Sequence, residues 1–291
     1  MHDVYDKQGQ VNSSIRHCLA GHKKHVTLLP NLELIDQHIH SKTAISFNES
    51  ARKGLYFTLV GKQAIRSVND VTSVQICYQP RDISGDFMMA ENEQRSLLQV
   101  HISCEHLAGV LGESEEQIIQ HFVTMGEKLA PESGVINLAF THKTAKVCQD
   151  ILDHSGHSIS LAGHLYTLIF SLIEQLQMAS HLAECPDCQG KLFQAQNLLE
   201  VPNQDAFNLA QLAKRVGLNK EALAIGFYQQ VGQPIEQYCL NSRIKLAAAL
   251  LREDPTAKDH VLAQSGFSEA QFEAAFVQQF GVTSQQYKQI H

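Results

Sequence analysis

The sharpest chemical motif in the chain is Cys185-Pro-Asp-Cys188, with His181 four residues upstream. Two thiolates at this spacing can chelate one metal ion, and an imidazole would add a nitrogen donor. The same spacing also permits a disulfide and can lower a thiol pKa, which is redox chemistry. A structural zinc site normally uses four ligands, and there is no second Cys-x-x-Cys, so unoccupied linker thiols are a third reading. A weaker constellation is His38-Ile-His40. On a strand, alternate side chains share one face, and barrels can place metal ligands that way. An exposed polar strand face is the plainer reading. The run from His17-Cys18 through His22 and Lys23-Lys24 to His25 reads as a solvated segment.

Enzyme chemistry finds little support. The chain has no Gly-x-Ser-x-Gly, no P-loop and no Gly-x-Gly-x-x-Gly, and no paired carboxylates stand in a compelling context. We therefore expect a protein that is not an enzyme and has no certain cofactor.

The elements that must carry these residues change in kind near residue 112. Before it, short alternating runs recur at 25–29, 32–40, 54–60, 74–78 and 97–103. Polar and glycine-containing turns separate them, including Val60-Gly-Lys and Ser84-Gly-Asp, as in a small sandwich or barrel. After Leu111 the apolar period becomes helical. Helices are expected near 113–122, over Thr141 to Leu152 and over Ser158 to Ala183, the last with an apolar stripe from Leu161 to Leu176. That stripe is interrupted by His164, Glu174 and Gln175, which reads as too short and too polar to span a bilayer. Residues 184–190 read as a linker. Beyond them seven helices are expected, with Asn219 as an N-cap and Gly217, Gly232, Gly266 and Gly281 at helix ends or turns. Phe227, Leu223, Phe272, Phe276 and Phe280 should fill two small cores.

Within these helices, 209–216, Gly217-Leu-Asn219 and 220–231 form one helix–turn–helix. Residues 261–265, Gly266-Phe-Ser268 and 269–280 form a second, and a long helix containing Arg243 and Leu250 joins the two. In such pairs the second helix typically enters the DNA major groove.

Here the chain resembles the AraC/XylS family of bacterial transcription regulators, over about residues 191–290. The resemblance rests on Leu209-x-x-Leu212-Ala213-x-x-Val216-Gly217-Leu218, Phe227, Gly232, Tyr238, Arg243-Ile-x-x-Ala247-x-x-Leu250-Leu251, Gly266-Phe267-Ser268, Phe276, Phe280-Gly281-Val282-Thr283 and Tyr287. Gly217-Leu-Asn219, Leu223 and Gly226-Phe227 look most like its PchR-type branch, which is associated with iron- and siderophore-responsive control. The resemblance implies an α+β protein. A cupin-like β-rich sensor with a helical extension would occupy 1–183, with dimer helices in 141–183, and a DNA-binding domain 191–291. It implies double-stranded DNA and a small-molecule effector as partners, with an iron chelate or another metal ion as a candidate ligand. RNA polymerase contact, activation and a homodimer belong to the same expectation. DNA contacts are expected from Lys214, Arg215, Asn219, Lys220, Ala224, Tyr228, Ser268, Gln271 and Gln278. Metal ligands are expected from Cys185, Cys188 and His181, and more remotely from His38 and His40.

The chain departs from that pattern in its charge. Of a net −7, residues 1–187 carry all of it, and nine basic residues balance nine acidic ones from Cys188 onward. Family members usually have a basic residue near Ala224-Ile225 and another after Phe227; neither is present. The helix after Ser268 has no basic residue and two glutamates. Affinity for DNA comes largely from Lys and Arg on phosphates, so the alternative is an AraC-like protein with weak or lost DNA binding that acts through protein contacts. The N-terminus lacks an apolar h-region, and the seven cysteines are mostly isolated, so a cytoplasmic, non-membrane protein is expected.

Overall fold

The computed structural model describes residues 4–200, 208–253, 262 and 268–290. The chain divides into two compact units, Met1–Ser180 and His181–His291.

The first unit is built on an antiparallel six-stranded sheet. Its strands are β1 (Leu19–Leu29), β2 (Leu32–Ser41), β4 (Gly54–Gly61), β5 (Val71–Gln79), β7 (Gln94–Ile102) and β8 (Val135–Leu138), in the order β1-β2-β7-β4-β5-β8. A separate ribbon pairs β3 (Ile45–Ala51) with β6 (Ile83–Met89). The β-rich half expected before residue 112 is thus present, as an open sheet plus a ribbon.

Register gives the sheet two chemically different faces. Leu55, Phe57 and Leu59 lie opposite Ile102, Val100 and Leu98 on β7, and opposite Tyr78, Ile76 and Val74 on β5. Most of these side chains are fully buried, and Phe57 meets Phe122 edge-on at 6.1 Å. This is the helix-covered core face, where each large apolar side chain contributes about 1.5–3 kcal/mol of burial. The opposite face carries Lys23, His25, Glu33, Gln37, Tyr56, Arg95 and Gln99.

Four helices follow: α1 (Cys104–Leu111), α2 (Glu115–Leu129), α3 (His142–Leu152) and α4 (Ser158–Glu184), the last running from the first unit into the second, where His181 to Glu184 belong. Ser103, Ser114 and Thr141 cap the first three by accepting a first-turn N–H. Helix α4 matches the helix expected over Ser158 to Ala183 to within one residue. At 27 residues, with a mean hydropathy of 1.3 in its most apolar window, it is long and apolar enough to cross a membrane by length and composition. Its stripe is spent on packing instead: Leu165, Leu168, Ile169, Leu172 and Leu176 are all buried. Buried Gln175 ties it down, donating to Ala139 O at 2.7 Å and accepting from the Thr144 hydroxyl at 3.3 Å.

Several expectations are corrected. The segment read as solvated, His22 to His25, keeps Lys24 and His25 exposed but is part of β1 at the edge of the sheet; its Lys and His residues suit an edge strand, where charge discourages further pairing. Ser84-Gly85-Asp86, read as a turn, lies within β6. Strands β3, β6 and β8 and helix α1 were not anticipated. The expected linker at 184–190 has one non-helical residue, Cys185, because Pro186 starts α5 (Pro186–Glu200) directly. Proline suits that first helical position, having no N–H to leave unpaired.

The second unit continues with α6 (Leu209–Val216), α7 (Lys220–Val231), α8 (Ile235–Glu253), α9 (Glu269–Phe280) and α10 (Ser284–Ile290). Gly217, Gly232 and Gly281 close α6, α7 and α9 with φ of 72°, 78° and 74°, where a side chain would be strained. One core gathers Leu192, Leu212, Val216, Leu223, Phe227 and Ile235; the other gathers Ile244, Ala247, Leu251, Phe272, Phe276 and Tyr287. Helix α8 serves both. The expected helix from Pro255, and the turn at Gly266-Phe267 of the second helix–turn–helix, lie outside the described residues.

Candidate functional site

In the first module, α6 and α7 are joined by Gly217-Leu218-Asn219. Left-handed Gly217 turns the chain, and Leu218 N–H donates to Ala213 O at 3.0 Å. Asn219 then caps α7, its side-chain oxygen accepting from Ala222 N–H at 2.7 Å. Asn219 therefore has a capping role. Lys214 and Arg215, in the last turn of α6, and Lys220, at the start of α7, are exposed, and no ion pair holds them among the described residues. Three cations within seven residues thus bracket the turn.

The body of α7 differs from the expectation. Ala222, Leu223, Ile225, Gly226, Phe227 and Tyr228 are all buried. Four consecutive residues at 100° each sweep the whole circumference, so the middle of this helix is covered on every side. Gly226 shows how tightly: a Cβ there would lie 2.7 Å from a Leu192 methyl. Tyr228, expected to contact DNA, is only 9% exposed, and burial raises its pKa. Ala224 is half-buried.

Helix α9 is one-sided. Phe272 and Phe276 are fully buried, while Ala270, Gln271, Ala274, Val277 and Gln278 are exposed and recur at helical spacing on the other face. Ser268 and Gln271 form a capping box: Ser268 N–H and Oγ–H donate to Gln271 Oε1 at 3.2 and 3.0 Å, and Gln271 N–H returns to Ser268 Oγ at 3.4 Å. With its oxygen so used, Gln271 is a poorer base reader than Gln278, which has no capping duty. Glu273 is also occupied, accepting from Ser284 N–H at 3.0 Å.

In the first unit, the polar sheet face and the β3–β6 ribbon border an open cavity of about 480 Å³. Three cations (Lys23, Arg52, Arg95) and two carboxylates (Glu33, Glu49) line it, with Ile35, Ile83, Phe87 and Leu97 as an apolar part. Lys23 pairs with Glu49 and Arg52 with Glu33. Burial alone would raise the Glu33 pKa, but the hydrogen bond and charge of Arg52 bring it below the usual value. Burial, then Lys23, lowers the pKa of His25 and favours its neutral form. Of the three lining cations, Arg95 stands outside these pairs; its guanidinium sits 4.5 Å over the Phe87 ring.

His38 and His40 lie on the face opposite this cavity. His38 is 2.7 Å from Ser96 Oγ, its ring centre 6.3 Å from that of His22, which pairs with Asp36 at 3.0 Å. Among the described residues, the group of three or more ligand-bearing side chains close enough for one metal ion is His181, Cys185 and Cys188. A small-molecule site in the β-rich sensor was expected, but the residues that line this cavity were not identified from sequence. Their only advance signal was the cluster of Lys23 and His25, which read as solvated.

No family model and no curated protein matches the chain. Solved structures with similarity include the C-terminal domain of AraT, a response regulator from Geobacillus stearothermophilus, at 19% identity and a TM-score of 0.33, covering 35% of this chain and 85% of that one. ToxT from Vibrio cholerae is 10% identical with a TM-score of 0.30, over 86% of this chain and 99% of that one. ToxT bound to (E)-4-(8-methylnaphthalen-1-yl)but-3-enoic acid is 12% identical with a TM-score of 0.31, over 94% and 99%. At these values the functional reading rests on the chain's own residues.

Proposed function

We propose that the protein is a one-component transcription regulator that binds promoter DNA through its second unit and a small molecule in the cavity of its first. The observation that carries this reading is the α6–Gly217–α7 helix–turn–helix, with Lys214, Arg215 and Lys220 exposed around its turn. Those cations would sit on phosphates, which give affinity without sequence preference. The exposed face of α9 would supply base reading, with the Gln278 amide able to accept from adenine N6 and donate to N7.

The effector suited to the cavity is a small organic anion with an apolar portion. Its charged group would meet Arg95, and Ile35, Ile83, Phe87 and Leu97 would receive the rest. A ligand controls DNA binding only if it favours one arrangement of the protein over another. An iron chelate is the finer reading and comes from the PchR-type resemblance alone. RNA polymerase contact, activation and a homodimer through residues 141–183 stand on the same footing.

A second reading has its own observation. The buried middle of α7 and the charge neutrality beyond Cys188 favour a protein with weak or lost DNA binding that works through protein contacts. Titration of its own promoter fragment at low salt separates the two. Saturable binding is expected, and its absence would leave the second reading standing.

A further inference from the structure

Helix α4 ends and α5 begins on a single residue, Cys185. Its N–H still donates to His181 O at 3.0 Å, which keeps His181 and Cys185 one turn apart on the same side of α4. Its carbonyl already accepts from Gln189 N–H at 2.9 Å, as the first bond of α5. Its Sγ accepts from Cys188 N–H at 3.3 Å, the bond an N-cap side chain makes. One residue thus belongs to both helices, and its sulfur is drawn toward the second cysteine. A ring nitrogen of His181 and the sulfurs of Cys185 and Cys188 consequently lie within 4.8 Å of one another.

We infer that His181, Cys185 and Cys188 form a Cys2His site for one thiophilic cation such as Zn2+. Tetrahedral coordination at metal–sulfur and metal–nitrogen distances of about 2.3 and 2.0 Å places ligand atoms about 3.5–3.8 Å apart. The cluster reaches that by side-chain rotation of about 1 Å, with the backbone already in place. Two thiolates and an imidazole select Zn2+ or Cu+ over Mg2+ or Ca2+, which take oxygen donors. Asp187, the nearby carboxylate, is held by Lys191 at 2.5 Å and stands outside the donor set. His181 is exposed and both cysteines are half-buried, so a fourth position is open to water or to an added ligand. Three protein ligands with an open position make an exchangeable site, unlike a closed structural one. A bound ion would pin the last turn of α4 to the first turn of α5. Metal binding here is independent of DNA binding.

The test uses the full chain, reduced and metal-free, with Zn2+ titrated against a chromophoric chelator and Co2+ as a spectroscopic substitute. One Zn2+ per chain is expected, together with sulfur-to-cobalt charge-transfer absorption. Cys185→Ser and Cys188→Ser should each weaken Zn2+ binding by more than about 100-fold, and His181→Gln by about 10-fold or more. Serine is a good N-cap, so Cys185→Ser should keep α5 capped and the helical circular dichroism unchanged. His38→Ala with His40→Ala should leave the stoichiometry at one. Zn2+ uptake by the Cys185→Ser/Cys188→Ser double variant equal to that of the parent would overturn the site. So would a reduced chain that takes up no Zn2+ yet loses two thiols in air, which would mark a redox pair.

Discussion

Helices α7 and α9 both start on a side-chain cap, at Asn219 and Ser268, and their surfaces are opposites. Helix α7 is flanked by cations but buried around its middle; α9 is bare along one face but has no basic residue on it. The difference teaches that a recognition helix needs both charge nearby and an accessible face, and that here the two are divided. On the proposed function, the first module would supply phosphate contacts and the second a readable surface, so neither is expected to bind DNA well alone.

The largest effect that would test this comparison concerns the cores, which it treats as equivalent. Phe227→Ala and Phe276→Ala should each cost about 3–5 kcal/mol in denaturant unfolding, because both rings are fully buried. A loss under about 1 kcal/mol at Phe276 would mean that the second module is not a packed unit in solution. Next, Gln278→Ala should weaken binding to the preferred sequence by about 1–3 kcal/mol and leave non-specific binding unchanged. Equal weakening on all sequences would remove base reading from α9. Smaller still is a contrast between the two units. His25, His38 and His101 have pKa values lowered from 6.5, with burial the largest cause in each. The neutral forms are favoured in the fold, so their stabilisation is complete above about pH 6.5 and is lost as pH falls below it. Thermal unfolding of the first unit should therefore move down on acidification, more than that of the second unit.

The boundaries of α6, α7 and α9 were legible because their signals are local. Asn208, Asn219 and Ser268 accept first-turn N–H groups, and Gly217, Gly232 and Gly281 take left-handed φ. Phe227 and Phe276 announced their cores through helical spacing. The ribbon was not legible. Phe47 is fixed by Phe87 at 5.6 Å across β3 and β6, a partnership forty residues apart, and Ser84-Gly85-Asp86 imitates a turn. The lining of the cavity was hidden for a related reason. Lys23, Glu49, Arg52 and Glu33 look like surface residues one by one, and only the register of β1, β2 and the ribbon shows that they face inward as pairs. The burial around the middle of α7 escaped because it depends on packing between helices: a Cβ at Gly226 would lie 2.7 Å from a Leu192 methyl of α5, which no local signal announces.

The most direct test of the central claim is the salt dependence of DNA binding by the full chain, alongside the Lys214→Ala/Arg215→Ala/Lys220→Ala variant. Saturable binding is predicted for the parent, with log K falling linearly in log salt. The triple variant should flatten that slope by about 2–3, because on this account each of the three side chains would neutralise one phosphate. A parent that shows no saturable binding at low salt, or a triple variant with an unchanged slope, would contradict the account.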